Sequence, residues 1–185
     1  MNKLRITLAA AVCGLALAAP AQDTNTLKTD LAVFEAQTGI IIVKGHGPTS
    51  TLSVGPVAIT VVCKVSTDIS TGRSADGLAI EIGENPQLRE RFLVDYDEID
   101  SLLNSISYLS QINYEVTPLP GFEASYSTKS GLRMVAGSIR KQGAIQTYLE
   151  YDPGTRVALS SVQMAQLYGF IQQAKKELDT IRASK

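Results

Sequence analysis

The sequence predicts an α+β protein: two tandem strand-rich units with antiparallel sheets, each closed by an amphipathic C-terminal helix, a ββββα repeat. Three observations carry that expectation. Two helical stripes of apolar residues occur at corresponding places in the two halves of the chain. Each stripe opens on a polar residue followed three positions later by Glu or Gln. Each is preceded by short runs of alternating apolar residues joined at Gly and Pro.

The first unit is assigned to residues 39–112. Residues 39–45 form its first strand, Gly47-Pro48 a turn, and 57–69 a long second strand. Along that strand Val57, Ile59, Val61, Cys63 and Val65 fall on one face, the period-two signature of a half-buried strand. The polar stretch 70–76 reads as a loop, followed by strands at 78–82 and 89–94 around the turn Gly83-Glu84-Asn85-Pro86. Asp95 and Glu98 then make a D-x-x-E variant of the capping box. Ile99, Leu102, Leu103, Ile106, Leu109 and Ile112 form the apolar face of the helix. The acidic run Asp95, Asp97, Glu98 and Asp100 is read as capping and dipole compensation. It lacks the Gly-containing spacing of a calcium loop.

The second unit is assigned to residues 113–185. Strands are expected at 114–118, 122–128, 132–139, 144–151 and 155–159. Turns fall at Pro118-Leu119-Pro120-Gly121, Gly131, Gln142-Gly143 and Asp152-Pro153-Gly154. Ser160 and Gln163 make the second capping box. Met164, Leu167, Tyr168, Ile171, Ala174, Leu178 and Ile181 make the second apolar face. The helical segments align at a shift of 65 residues: Arg91 with Arg156, Asp95 with Ser160, and Glu98 with Gln163. This is a gapped repeat rather than an array.

The N-terminal segment is read separately. Residues 1–21 look like a secretory signal peptide: Lys3 and Arg5 first, an apolar run over 6–19, then Ala19-Pro20-Ala21 before a cut. Val12 precedes Cys13 and the apolar run continues past it, which disfavours lipidation at that cysteine. The apolar run is too short to span a bilayer, and no other long apolar segment follows, so no membrane span is expected. With no Asn-x-Ser/Thr site in the chain, an exported bacterial protein, periplasmic or secreted, fits best. Residues 22–38 form a lead-in in which Leu27, Leu31 and Phe34 fit either a short helix or an extended segment. Residues 22–185 are expected to make one compact body.

Composition limits the chemistry. The 185 residues contain one His, two Cys and no Trp, with 17 Lys+Arg against 18 Asp+Glu. After the cut Cys63 stands alone, so no internal disulfide is available, and its place in a strand marks it as a buried, inert thiol. A catalytic triad would have to use His46, which sits between glycines beside Pro48. A zinc site would need more ligands than His46 and Cys63, and neither a nucleophile elbow nor a phosphate-binding loop occurs. No catalytic, metal or cofactor-binding residue is assigned, and no cofactor is expected. The charge is uneven: residues 22–112 hold 6 basic and 12 acidic residues, and residues 113–185 hold 9 and 6.

The order of strands and helices over residues 39–183 resembles the tandem ββββα plan of Whirly and PUR proteins. That resemblance implies single-stranded nucleic-acid binding and assembly through helices. Lys129, Arg133, Arg140 and Lys141, around one hairpin, are the cations phosphate would meet. The Lys-Gly-Lys-Ala-Ala motif of plant Whirly proteins is absent, the nearest stretch being Lys44-Gly45-His46-Gly47, so no binding residue is carried over. The run Val94-Asp95-Tyr96-Asp97-Glu98-Ile99 before a helix is similar to one in a family of uncharacterised exported bacterial proteins. Three functions are thereby framed. The favoured one is a noncatalytic binding or structural module, acting through a protein partner or self-association and able to accept an extended peptide at a sheet edge. The alternatives are nucleic-acid binding, which the acidic balance and export oppose, and an enzyme directed at saccharides through paired carboxylates.

Overall fold

The computed structural model describes residues 28–87, 89–139, 143–152 and 154–184. The proposed signal peptide, Leu27, Arg140, Lys141, Gln142 and Pro153 lie outside the described residues. A short helix α1 (Asp30–Glu35) leads into β1 (Ile42–Val54), β2 (Val57–Asp68), β3 (Ser74–Gly83), β4 (Glu90–Asp95) and α2 (Ile99–Gln111). Then come β5 (Glu123–Ser127), β6 (Arg133–Ile139), β7 (Ala144–Asp152), β8 (Thr155–Leu159) and α3 (Ser161–Ala183). Strands β1–β4 and β5–β8 form two antiparallel sheets, each in sequential order.

The tandem strand order is therefore as expected, but the helices are exchanged. Helix α3 packs across β1, β2 and β3, the first sheet, whereas α2 packs across β5 and β6, the second. The two helices also pack on each other. Each unit thus closes its neighbour rather than itself. One continuous core results, running from Ile59, Ile80 and Val94 through Leu102 and Ile106 to Met134, Leu149, Ile171 and Leu178. An amphipathic stripe says that a helix must cover something apolar. It does not say which sheet.

The acidic run makes long-range ties at the start of α2. Asp95 makes no cap hydrogen bond to its own helix, which begins after a 3-10 turn at Tyr96–Glu98. Its carboxylate instead accepts from the backbone N–H groups of Asp30 and Leu31, at 3.0 Å each, at the start of α1. Glu98 accepts from the N–H of Lys129 at 2.7 Å, in the β5–β6 turn. Lys129 Nζ reaches Asp95 and Asp97 at 3.2 Å. Asp100 pairs with Lys175 of α3 at 2.8 Å. These four acids, read from sequence as a cap, tie the start of α2 to three separate segments. The second capping box is as expected, with Ser160 accepting from Gln163 N–H and Gln163 reaching back to Ser160 N–H.

Three local expectations are corrected. Gly47-Pro48 is not a turn: β1 runs through it, with a bulge between His46 and Thr49. β1 is an edge strand, where a residue without an N–H is tolerated. Gly47 is needed there because a Cβ would lie 2.2 Å from Cys63 Sγ. The hairpin turn comes later, at Gly55, with φ of +59°. Residues 114–118 form no strand; Tyr114–Val116 is a 3-10 turn whose Tyr114 ring meets Phe122 edge-on. The polar loop at 70–76 is shorter than expected, since β3 begins at Ser74. The lead-in resolves as a helix, capped by Thr29 and burying Leu31 and Phe34. The aligned arginines occupy equivalent places: Arg91 pairs with Glu81 opposite it on β3, and Arg156 with Glu150 opposite it on β7.

Candidate functional site

Cys63 and His46 do not converge. Cys63 is 1% exposed beneath α3, its thiol 3.2 Å from Glu177. Burial, then the Glu177 carboxylate, pushes the thiol up to about 11, so thiolate chemistry is suppressed. His46 is exposed on β1, opposite Lys64 in the ladder, and its side chain makes no hydrogen bond among the described residues. No group of three or more metal-ligating side chains occurs among them either. No helix there is long and apolar enough to cross a membrane.

Of the hairpin cations, the two among the described residues, Lys129 and Arg133, are engaged. Lys129 is held by Asp95 and Asp97. Arg133 lies between Glu150 at 2.9 Å and Glu123 at 3.6 Å, and Arg156 binds the other oxygen of Glu150 at 2.6 Å. This ladder of alternating charge crosses the outer face of the second sheet. A phosphate approaching it would have to displace carboxylates already in place.

Glu98 is the buried carboxylate of the α2 junction. Burial raises its pKa first; the Lys129 N–H and ammonium oppose this, and Asp95 and Asp97 reinforce it. Its second oxygen, Oε2, has no hydrogen-bond partner among the described residues. A carboxyl raised in the folded state binds protons more readily there than in the unfolded chain, so it costs stability as pH rises through its titration. Glu98→Gln keeps an oxygen for Lys129 N–H and removes the buried charge. Its melting temperature should exceed wild type at pH 7, and the gain should vanish at low pH, where Glu98 is already protonated. Calorimetry at both values checks this.

Several concave regions are present among the described residues, and two border the strands of the second sheet. The larger, about 620 Å³, lies between the C-terminal end of α2, the start of α3 and strands β7 and β8. Ser110, Gln146, Thr147 and Ser161 line it over an apolar floor that includes Ile145 and Met164, with no titratable group among its lining residues. Its Ser and Thr hydroxyls have no acid or base among the lining residues beside them.

The second region, about 330 Å³, runs between α2 and β5. Asn104, Ser105, Tyr108 and Leu109 form one wall, and Ala124, Ser125 and Tyr126 the other. Tyr108 is 61% exposed, a large aromatic off the buried stripe of α2. Burial, then the nearby Glu98 carboxylate, raises the Tyr126 phenol, so this wall stays uncharged at neutral pH.

β5 is an edge strand. Ser138 N–H donates to Phe122 O, and Thr128 N–H to Leu132 O, so the even-numbered residues of β5 bond to β6 in this register. Glu123, Ser125 and Ser127 therefore turn their N–H and C=O groups outward, where no strand lies among the described residues. The other edges differ. β1 is broken by its bulge at Pro48, β4 ends at Asp95 against α1, and β8 lies beside β1. The groove was missed in sequence reading because it needs both the strand order and the helix exchange. The one signal was Tyr108, an aromatic outside the apolar stripe. Comparison of the chain with protein-family models, curated proteins and solved structures gave no match.

Proposed function

We propose that this protein is a noncatalytic binding module that takes an extended segment of another protein as an added strand on β5. One observation carries the reading: an edge strand whose outward backbone groups meet no strand among the described residues also has an apolar groove running along it. An added strand satisfies Glu123, Ser125 and Ser127 through main-chain hydrogen bonds. Its alternate side chains drop between Tyr108 and Tyr126, where main-chain bonds supply affinity and the groove selects. The groove lining of Asn, Ser, Tyr, Leu and Ala carries no charged side chain, which suits the packing of a peptide's apolar side chains. The apolar run and small residues of the N-terminal segment support an exported setting, periplasmic or extracellular, for the partner.

Ser125→Pro tests this with little disturbance to the fold. It removes an outward N–H and leaves the bonds between β5 and β6 in place. Decapeptides selected from a random display library against the full chain should bind Ser125→Pro at least about tenfold more weakly, a difference of about 1.4 kcal/mol. The variant should melt within a few degrees of wild type. Peptides that bind Ser125→Pro as well as wild type, or a library that yields none, would sink the reading.

A further inference from the structure

We infer that the segment accepted on β5 is basic, alternating apolar side chains toward α2 with Lys or Arg on the opposite face. This rests on the strand-addition reading and adds the chemistry of the partner.

The argument is the charge at the two ends of the strand. At the Ser127 end, the Lys129 ammonium is shared by Asp95 and Asp97, while Glu98 takes the Lys129 backbone N–H. Two carboxylates thus meet one ammonium with a third beside them, and the Asp97 side chain is 71% exposed. At the other end stands Glu123, 52% exposed and only 3.6 Å-paired to Arg133, which is itself committed to Glu150 at 2.9 Å. The groove lining between them is neutral. A strand laid along β5 therefore runs between two sources of negative potential. Across the outer face of the second sheet the order is already Glu123, Arg133, Glu150, Arg156, and a cation beside Glu123 continues that alternation. An acidic segment would meet repulsion at both ends.

The same charges disfavour a second copy of this chain as the occupant. Two β5 strands paired antiparallel about Ser125 would set Glu123 of each copy toward the acidic end of the other. Like charges across such an edge are a known device against self-pairing.

Three labelled heptapeptides, alternating Leu with Lys, Gln or Glu, distinguish the possibilities by fluorescence polarisation against the full chain. The Lys peptide should bind about tenfold or more tighter than the Gln peptide, and the Glu peptide weakest. The Lys advantage should shrink as salt rises from about 0.05 to about 0.5 M, because the Glu123 and Asp97 carboxylates are solvent-exposed. Glu123→Gln and Asp97→Asn should each reduce that advantage about threefold while leaving the Gln peptide unchanged. Ser125→Pro should abolish all of it, which separates this site from general attraction to an acidic protein. Equal binding of Lys and Gln peptides, both lost in Ser125→Pro, overturns the charge inference and leaves strand addition standing. No binding by any peptide overturns both. A dimer in sedimentation that Ser125→Pro dissociates also overturns the basic partner and makes a second copy the occupant.

Discussion

Leu178→Ala should expose Cys63 to thiol reagents, although the two residues belong to opposite units of the chain. Leu178 is fully buried on α3, one position beyond Glu177, whose carboxylate touches the Cys63 thiol. Because α3 covers the first sheet, loosening it opens the roof over β2. Truncating a buried leucine costs about 2–5 kcal/mol. The informative comparison is Ile106→Ala on α2, equally buried but packed with the helix that covers the second sheet. In a Cys13→Ser background, leaving Cys63 as the reporter, labelling under native conditions should be about tenfold faster in Leu178→Ala than in Ile106→Ala. That ranking should hold even where the two variants melt alike, because labelling follows local opening as well as global unfolding. If each helix closed its own unit, the ranking would be reversed. Equal rates would mean that the molecule opens only as a whole.

What the sequence made legible was local. The capping box at Ser160 and Gln163 involves residues three apart, so composition and spacing suffice to find it. The alternation over β2 needs only neighbours, and placed Cys63 correctly in the core. Asp95 and Glu98 have the same local spelling as that box and a different fate. Their partners are at Asp30, Leu31 and Lys129, some 30 to 65 residues away, and a long-range hydrogen bond leaves no periodicity to read. Gly47-Pro48 misled for a related reason. Gly-Pro normally punctuates a chain, but on an edge strand the missing N–H is harmless, and the glycine answers a contact with Cys63 across the sheet. The groove between α2 and β5 lies at the end of this scale. It exists only because α2 crossed to β5, a choice made by the whole core and by the tethers of its acidic run.

Those tethers extend to a buried pair under α1. Lys64 is 2% exposed on β2, and its ammonium lies 2.6 Å from Glu35 of α1. Ser66 donates to the same carboxylate at 2.6 Å, and Lys44 approaches it at 3.1 Å. Glu35→Ala should be among the most damaging single changes in the protein. It leaves Lys64 buried without a counter-charge, and breaking a buried pair in this way costs about 3–5 kcal/mol. Glu35→Gln should recover part of the loss, since an amide oxygen still accepts from Ser66 and Lys64. Burial alone would raise the Glu35 carboxyl; hydrogen bonds from Lys64, Ser66 and Lys44 outweigh it and hold the pKa below its ordinary 4.5. A carboxyl lowered by folding stabilises above its unfolded pKa, and that contribution is lost as pH falls through the folded one. Wild type should therefore lose stability progressively below about pH 4.5, and Glu35→Ala should show a shallower acid dependence on top of its lower plateau. Denaturant melts from pH 7 to pH 3 measure both. Parallel pH profiles for wild type and Glu35→Ala would show that Glu35 does not carry the acid sensitivity. A plateau unchanged by the substitution would mean that Lys64 finds water or another partner when its carboxylate is gone.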